Sequence, residues 1–217
     1  MLKIMNFIFD TLLPIKCFNC KTKNQIFCQD CLEKTSKSKE YLQENMLAVF
    51  DYQDPIIKKA IWELKYHHRR YLGKKLGQLL YEHLLEDISE IRTMSLGQKI
   101  FIVPVPISKR KNKLRGYNQS EIIAKGFFES CRENIFELCN NMVYKKNETI
   151  PQAKISNKSK RLKNIKDTFG LNNSEMIEGR TIIIIDDVIT TGATINEIIK
   201  ILKKAKAKKV IGIAVAH

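Results

Sequence analysis

The stretch IIIIDDVITTGAT, residues 182–194, decides the architecture. Ile182 to Ile185 form an unbroken apolar run, which predicts a strand buried on both faces, as in a parallel sheet. Asp186 and Asp187 then emerge at its carboxyl end, and the alternation of side chains along a strand sends the two carboxylates to different sides. Thr190, Thr191, Gly192, Ala193 and Thr194 are small enough for backbone N–H groups to approach a ligand, and they open a helix whose N-terminal end is positive. Such a turn suits a phosphate monoester. Carboxylates repel a phosphate at close range, so the acid pair suits neutral hydroxyls, or a bound Mg2+, a sugar's length away. The chemistry implied is a sugar 5-phosphate, with the phosphate in the turn and the ribose hydroxyls on the acids. A capped helix after a strand explains one Asp or Thr, not the full set. The acidic strand of a P-loop ATPase needs GxxxxGK[ST], which the nine glycines do not offer.

The flanking chain alternates strand and helix. MLAVFDY (46–52) has strand composition, and Asp54-Pro55 opens a helix with Ile57, Ile61, Leu64 and Lys65 near helical spacing and Trp62 beside them. Leu72, Leu76, Leu79, Leu80 and Leu84 predict a second helix over roughly 71–88. KIFIVPVP (99–106) reads as a buried strand, 108–119 as a basic loop, SEIIAKGFFESC as a helix, and NMVYKK as a short strand. A polar segment, 147–168, precedes RTIIIIDD; a helix and the closing strand KKVIGIAVAH follow. This order predicts an α/β fold, a parallel sheet covered on both faces, with ligands bound beyond the strands' carboxyl ends. Right-handed crossovers then bring the VPVP turn, the 147–168 loop and the acid-bearing turn to one crevice.

CFNCKTKNQIFCQDC (17–31) carries two CxxC pairs, Cys17 with Cys20 and Cys28 with Cys31. Each pair places two thiolates on a tight turn, and the spacer folds one turn onto the other, predicting a compact structural zinc knuckle. Cys131 and Cys139 lack that spacing and read as small buried apolar residues. Residues 32–45 read as a polar linker, dividing an N-terminal helix and knuckle (1–35) from a larger domain (46–217). The net charge of +15 favours polyanionic partners, although lysine-rich surfaces are also ordinary solvated faces. No apolar run reaches the ~18 residues of a membrane-spanning helix. MLKIMNFIFDTLLPIKC reads as a short helix ended near Pro14 rather than a signal peptide. The expected location is cytoplasmic, with peripheral attachment at the inner membrane as the other option.

IIIIDDVITTGAT resembles the ribose-phosphate motif of type I phosphoribosyltransferases, which use 5-phosphoribosyl 1-pyrophosphate (PRPP). LLPIKCFNC…FCQDC, AVFDYQDPIIKKAIWELKYH, VPVPISKRKNKLRGYNQSEIIAK and TIPQAKISNKSKRLKNIKDTF are similar to blocks of the ComF-type competence proteins, so the likeness spans nearly the whole chain. The resemblance implies a phosphoribosyltransferase-like domain behind a zinc-binding segment. It puts Thr190 to Thr194 on the 5-phosphate and Asp186 and Asp187 on the ribose 2- and 3-hydroxyls, where they also serve as the catalytic acids. It puts Val105, Pro106 and Ile107 in the pyrophosphate loop, makes Arg115, Lys146 and Arg161 candidate pyrophosphate clamps, and brings Mg2+ with PRPP. The family pattern has an arginine near 146 and an acid at 160, where this chain has Lys146 and Lys160. The role implied is in DNA uptake and natural transformation. Its ligand is PRPP or a related phosphosugar, and its partners are single-stranded DNA and the uptake machinery. The basic blocks 109–115, 154–166 and 203–209 are the expected DNA contacts, and only Tyr117, in the basic loop 108–119, offers an aromatic ring beside one. No nucleobase pocket is legible. A phosphoribosyltransferase and a non-catalytic single-stranded DNA-binding protein on the same scaffold both remain open.

Overall fold

The computed structural model describes residues 15–43, 45–146 and 168–217. The helix expected before Pro14, the clamp candidate Arg161, Lys160 and the 154–166 basic block lie outside those residues. The elements run α1 (Gln29–Glu33), β1 (Lys37–Gln43), β2 (Met46–Phe50), α2 (Pro55–Tyr66), α3 (Arg70–His83), α4 (Leu85–Met94), β3 (Ile100–Pro104), α5 (Lys109–Arg115), α6 (Gln119–Ser130), β4 (Phe136–Leu138), β5 (Val143–Lys145), β6 (Phe169–Leu171), β7 (Thr181–Val188), α7 (Ala193–Lys204) and β8 (Lys209–Ala216).

Six strands form one sheet in the order β1-β2-β8-β7-β3-β4. The isoleucine run is β7, parallel to β3 on one side and to β8 on the other. β2 and β4 extend the parallel arrangement, and β1 adds antiparallel to β2 at the edge. Alternation along the strands splits the core in two. Ile183, Ile185, Ile100, Ile102, Ile211 and Ile213 face α2, α3 and α6, whereas Ile182, Ile184, Phe101, Val103 and Val210 face α7 and the β5–β6 pair. This is the covered parallel sheet that the four isoleucines imply. No helix among the described residues is long and apolar enough to cross a membrane.

Three local expectations change. The helix expected over 71–88 breaks at Leu84, whose φ of −112° and ψ of 21° leave the helical region, and the chain resumes as α4. Ile88 and Ile91 continue the buried stripe across the break, so the apolar period hides it. The basic loop contains α5, started by the Ser108 hydroxyl accepting from Lys111 N and ended by Gly116 at φ 72°. The polar linker holds the edge strand β1; Ser36 N donates to Asp54 Oδ2 at 2.8 Å, while Asp54 Oδ1 accepts from Ile56 N and Ile57 N at the start of α2. An edge strand needs backbone pairing more than an apolar pattern, which is why it looked like a linker.

Candidate functional site

At the carboxyl ends of β3 and β7 lies a cavity of about 460 Å3. Its walls include Asp186, Asp187, the whole turn from Thr190 to Thr194, the Val105-Pro106-Ile107 turn and Arg115. Asp186 is half-buried and Asp187 buried. Their surroundings differ. Asp186 Oδ1 accepts from Ser120 Oγ and from Asp187 N, both at 2.9 Å. Desolvation and the charge of Asp187 push the Asp186 carboxyl up to about 7. Asp187 Oδ2 is paired with Lys65 Nζ at 2.7 Å. Burial opposes the charge on Lys65, but Asp187, joined by Asp186, holds the ammonium above its ordinary value.

The turn after β7 ends at Gly192, φ 71°, a left-handed conformation open to glycine at little cost. The N-cap of α7, Gly192, has no side chain to offer, and the Thr191 hydroxyl accepts a long hydrogen bond from Ala193 N at 3.4 Å. The amide end of a twelve-residue helix opens on the cavity beside Thr190, Thr191 and Thr194, which also line it.

The RGYNQS stretch, 115–120, ties these parts together. Arg115 donates through Nη1 to Gln119 Oε1 at 2.8 Å and sits 5.4 Å from the Tyr66 ring centroid, and its buried Nε has no hydrogen-bond partner among the described residues. Asn118 caps α6 through Ser120 N and donates to Val105 O at 3.0 Å, fixing the turn after β3. Tyr117 donates its hydroxyl to Leu64 O, locking the end of α2. Lys111 lines the same wall, and burial, with help from Arg115, pushes its ammonium below the ordinary lysine value.

Of the expected site residues, Lys146 stands apart. It is exposed and outside this cavity, whereas Lys145, one residue earlier, lines it. Adjacent side chains on an extended chain point to opposite sides. Lys65, Lys111, Ser120 and Tyr52 were not anticipated as site residues. The signal for Lys65 was present: a lysine on the apolar stripe of α2 needs a buried acid. Ser120 and Tyr52 had none.

The four cysteines form a second candidate centre. Cys17 and Cys20 bracket a turn closed by Cys17 N to Thr22 O at 2.8 Å, and Cys28 and Cys31 sit at the start of α1. Their four sulfurs lie within 4.8 Å of one another, with Cys20 and Cys28 at 3.3 Å. A tetrahedral zinc with Zn–S near ~2.3 Å sets sulfurs about 3.8 Å apart, so the cluster fits that ion. Asn19 Nδ2 donates to Cys31 Sγ at 3.4 Å and Lys59 Nζ to Asn19 Oδ1 at 3.2 Å, linking the cluster to α2. Phe18 and Phe27 pack edge to face and share the apolar cluster of α2 and α3.

Residues 121–217 match the family described as the phosphoribosyl transferase domain. The chain is 29% identical over 195 residues to competence protein F of Haemophilus influenzae, covering 89% of this chain and 81% of that protein. It is 30% identical over 202 residues to the DNA utilization protein YhgH of Escherichia coli K12, covering 92% and 81%. A hypoxanthine phosphoribosyltransferase from Staphylococcus aureus aligns over 65% of this chain and 62% of its own at 12% identity, with a TM-score of 0.41. The phosphoribosyl transferase match begins within α6, so Lys65, Lys111 and Arg115 on the cationic wall precede it.

Proposed function

The chain belongs to the ComF family of competence proteins, and on that footing we propose that it binds PRPP or a related phosphosugar in the cavity and serves DNA uptake and natural transformation. The names of its relatives, a competence protein and a DNA utilization protein, support the cellular role. The observation that carries the ligand is the amide end of α7, begun at Gly192, opening on the same cavity as the acid pair. In this reading Thr190 to Thr194 hold the 5-phosphate by backbone and hydroxyl donors, and Asp186 and Asp187 hold the ribose hydroxyls. Val105, Pro106 and Ile107 border the pyrophosphate, and Arg115 clamps it with the bidentate fork suited to phosphate oxygens. Arg161 and Lys146 are the remaining clamp residues of this reading.

Mg2+ arriving with PRPP would neutralise charge on the pyrophosphate, with Asp186 and Asp187 as the carboxylates that line the cavity. The chain's own cations, Lys65, Lys111 and Arg115, contribute in the same sense. If turnover occurs, pyrophosphate leaves an oxocarbenium-like sugar, which the carboxylates stabilise electrostatically. Zinc in the four-cysteine cluster is assigned a structural role, because four sulfurs leave no open position for a substrate. Single-stranded DNA is the proposed macromolecular partner, in keeping with the net charge of +15.

Thermal unfolding with Mg2+ and PRPP tests the ligand. At a concentration about 100 times the dissociation constant, PRPP should add about 2.7 kcal/mol of stability. Thr194→Glu, which sets a like charge against the 5-phosphate, should abolish that gain. An unchanged midpoint for the native chain rejects the ligand. Release of pyrophosphate, measured with candidate acceptors, then separates an enzyme from a binding protein.

A further inference from the structure

Helix α2 turns an edge bearing aromatic rings to solvent beside the mouth of the cavity. Trp62 and Tyr66, one turn apart, are 50% and 54% exposed, with ring centroids 6.2 Å apart. His67 lies 4.2 Å from Trp62 between centroids. Single exposed apolar residues are common, but a contiguous set of large rings marks a contact surface. Tyr66 is steadied by the buried Arg115, and both line the cavity. Next to it, joined through the Arg115–Tyr66 contact, α5, KRKNKLR, carries five cations and no acid, with Lys109, Arg110 and Lys113 exposed and Leu114 75% exposed. Tyr117, the one ring of the basic loop 108–119, is buried under Arg70 at 4.8 Å. The aromatic rings therefore come from a helix without a basic block, and the fold sets them beside one that is a basic block.

We infer that single-stranded nucleic acid crosses the mouth of the cavity, its bases stacked on Trp62 and Tyr66 and its phosphates on Lys109, Arg110 and Lys113 of α5. The inference rests on the nucleic-acid part of the proposed function and adds the surface. Flat rings next to clustered cations match a strand that alternates exposed bases with phosphates. A duplex keeps its base faces stacked away, and an acidic peptide supplies charge without them.

Trp62 is the chain's single tryptophan, so its fluorescence reports on this surface alone. Titrating the full chain with oligothymidylate should quench that emission saturably, with a midpoint that rises steeply with salt. A duplex of equal length, poly-glutamate and phosphatidylglycerol vesicles should leave the emission unchanged. Trp62→Ala should weaken binding of a labelled oligothymidylate about tenfold, Trp62→Phe should restore most of it, and Lys109→Glu with Lys113→Glu should flatten the salt dependence. Trp62 does not line the cavity, so Trp62→Ala should keep the midpoint shift caused by PRPP. Full oligonucleotide affinity in Trp62→Ala overturns the surface and leaves the nucleic-acid reading standing. Absence of oligonucleotide binding overturns both. Quenching by poly-glutamate or vesicles, but not by the oligonucleotide, assigns the surface to a protein or membrane partner instead.

Discussion

Asp186 and Asp187 are adjacent in sequence but unequal in charge environment. Asp187 has a lysine ammonium at 2.7 Å, whereas Asp186 has a hydroxyl and a backbone amide at 2.9 Å and its carboxyl stands near 7. Between the ordinary carboxylate value near ~4 and about 7, the native state therefore holds a proton at Asp186 that the unfolded chain has released. Stability from this group is complete below the lower value and lost as pH rises through the upper one. Urea unfolding at steps from acid to mildly alkaline pH should show wild type losing stability across that window relative to Asp186→Asn, with the difference constant above it. A constant difference throughout would remove the assigned environment. Breaking the neighbouring pair is a separate test: Lys65→Met should cost about 3 kcal/mol by leaving Asp187 charged and buried, and Lys65→Met with Asp187→Leu should recover much of it. The two acids were legible in the sequence, because side-chain type and position at a strand end suffice. Their inequality was not, since it depends on Ser120 and Lys65, which only the folded chain brings near.

Two helices meet across glycine. A Cβ added at Gly77 on α3 would lie 2.0 Å from Ile123 O, and one at Gly126 on α6 would lie 2.2 Å from Lys74 O. Backbone cannot yield as a side-chain tip does, so Gly126→Ala should cost about 3 kcal/mol or more. Gly73→Ala meets Ile122 Cγ2 at 2.9 Å and Leu64 Cδ1 at 3.0 Å, both able to rotate, and should cost clearly less. Equal losses in denaturant unfolding would contradict the close crossing. The same helices show which elements a pattern can reveal. The β7 run and the leucines of α3 were legible, because burial imposes an apolar period on them. The break at Leu84 and the presence of α5 and β1 were not. A buried stripe continues through a kink, a short helix made of cations has no apolar face, and an edge strand is specified by its partner's backbone.

At the scale of the molecule, the crossover rule brought the VPVP turn and the acid-bearing turn to one crevice from sequence order alone. Of the cationic wall, Arg115 was expected but Lys65 and Lys111 were not, because contact between a helix end and a distant strand end leaves no periodic trace. The cysteine segment raises the matching question of whether it stands alone. Cys17, Phe18, Phe27, Cys28 and Cys31 belong to the same apolar cluster as Leu64, Leu72 and Ile213, and Lys59 of α2 reaches the cluster through Asn19. A zinc-free segment would thus expose part of the main core as well as its own turns. One equivalent of zinc per chain is expected from metal analysis of protein purified under reducing conditions. Removing it with a strong chelator should lower the thermal midpoint of the whole chain by at least about 5 °C, in one transition followed by far-ultraviolet dichroism. Cys28→Ser should melt at the chelated midpoint and gain nothing from added zinc. An unchanged main transition after zinc loss would show that the four cysteines fold on the surface of a domain that does not need them.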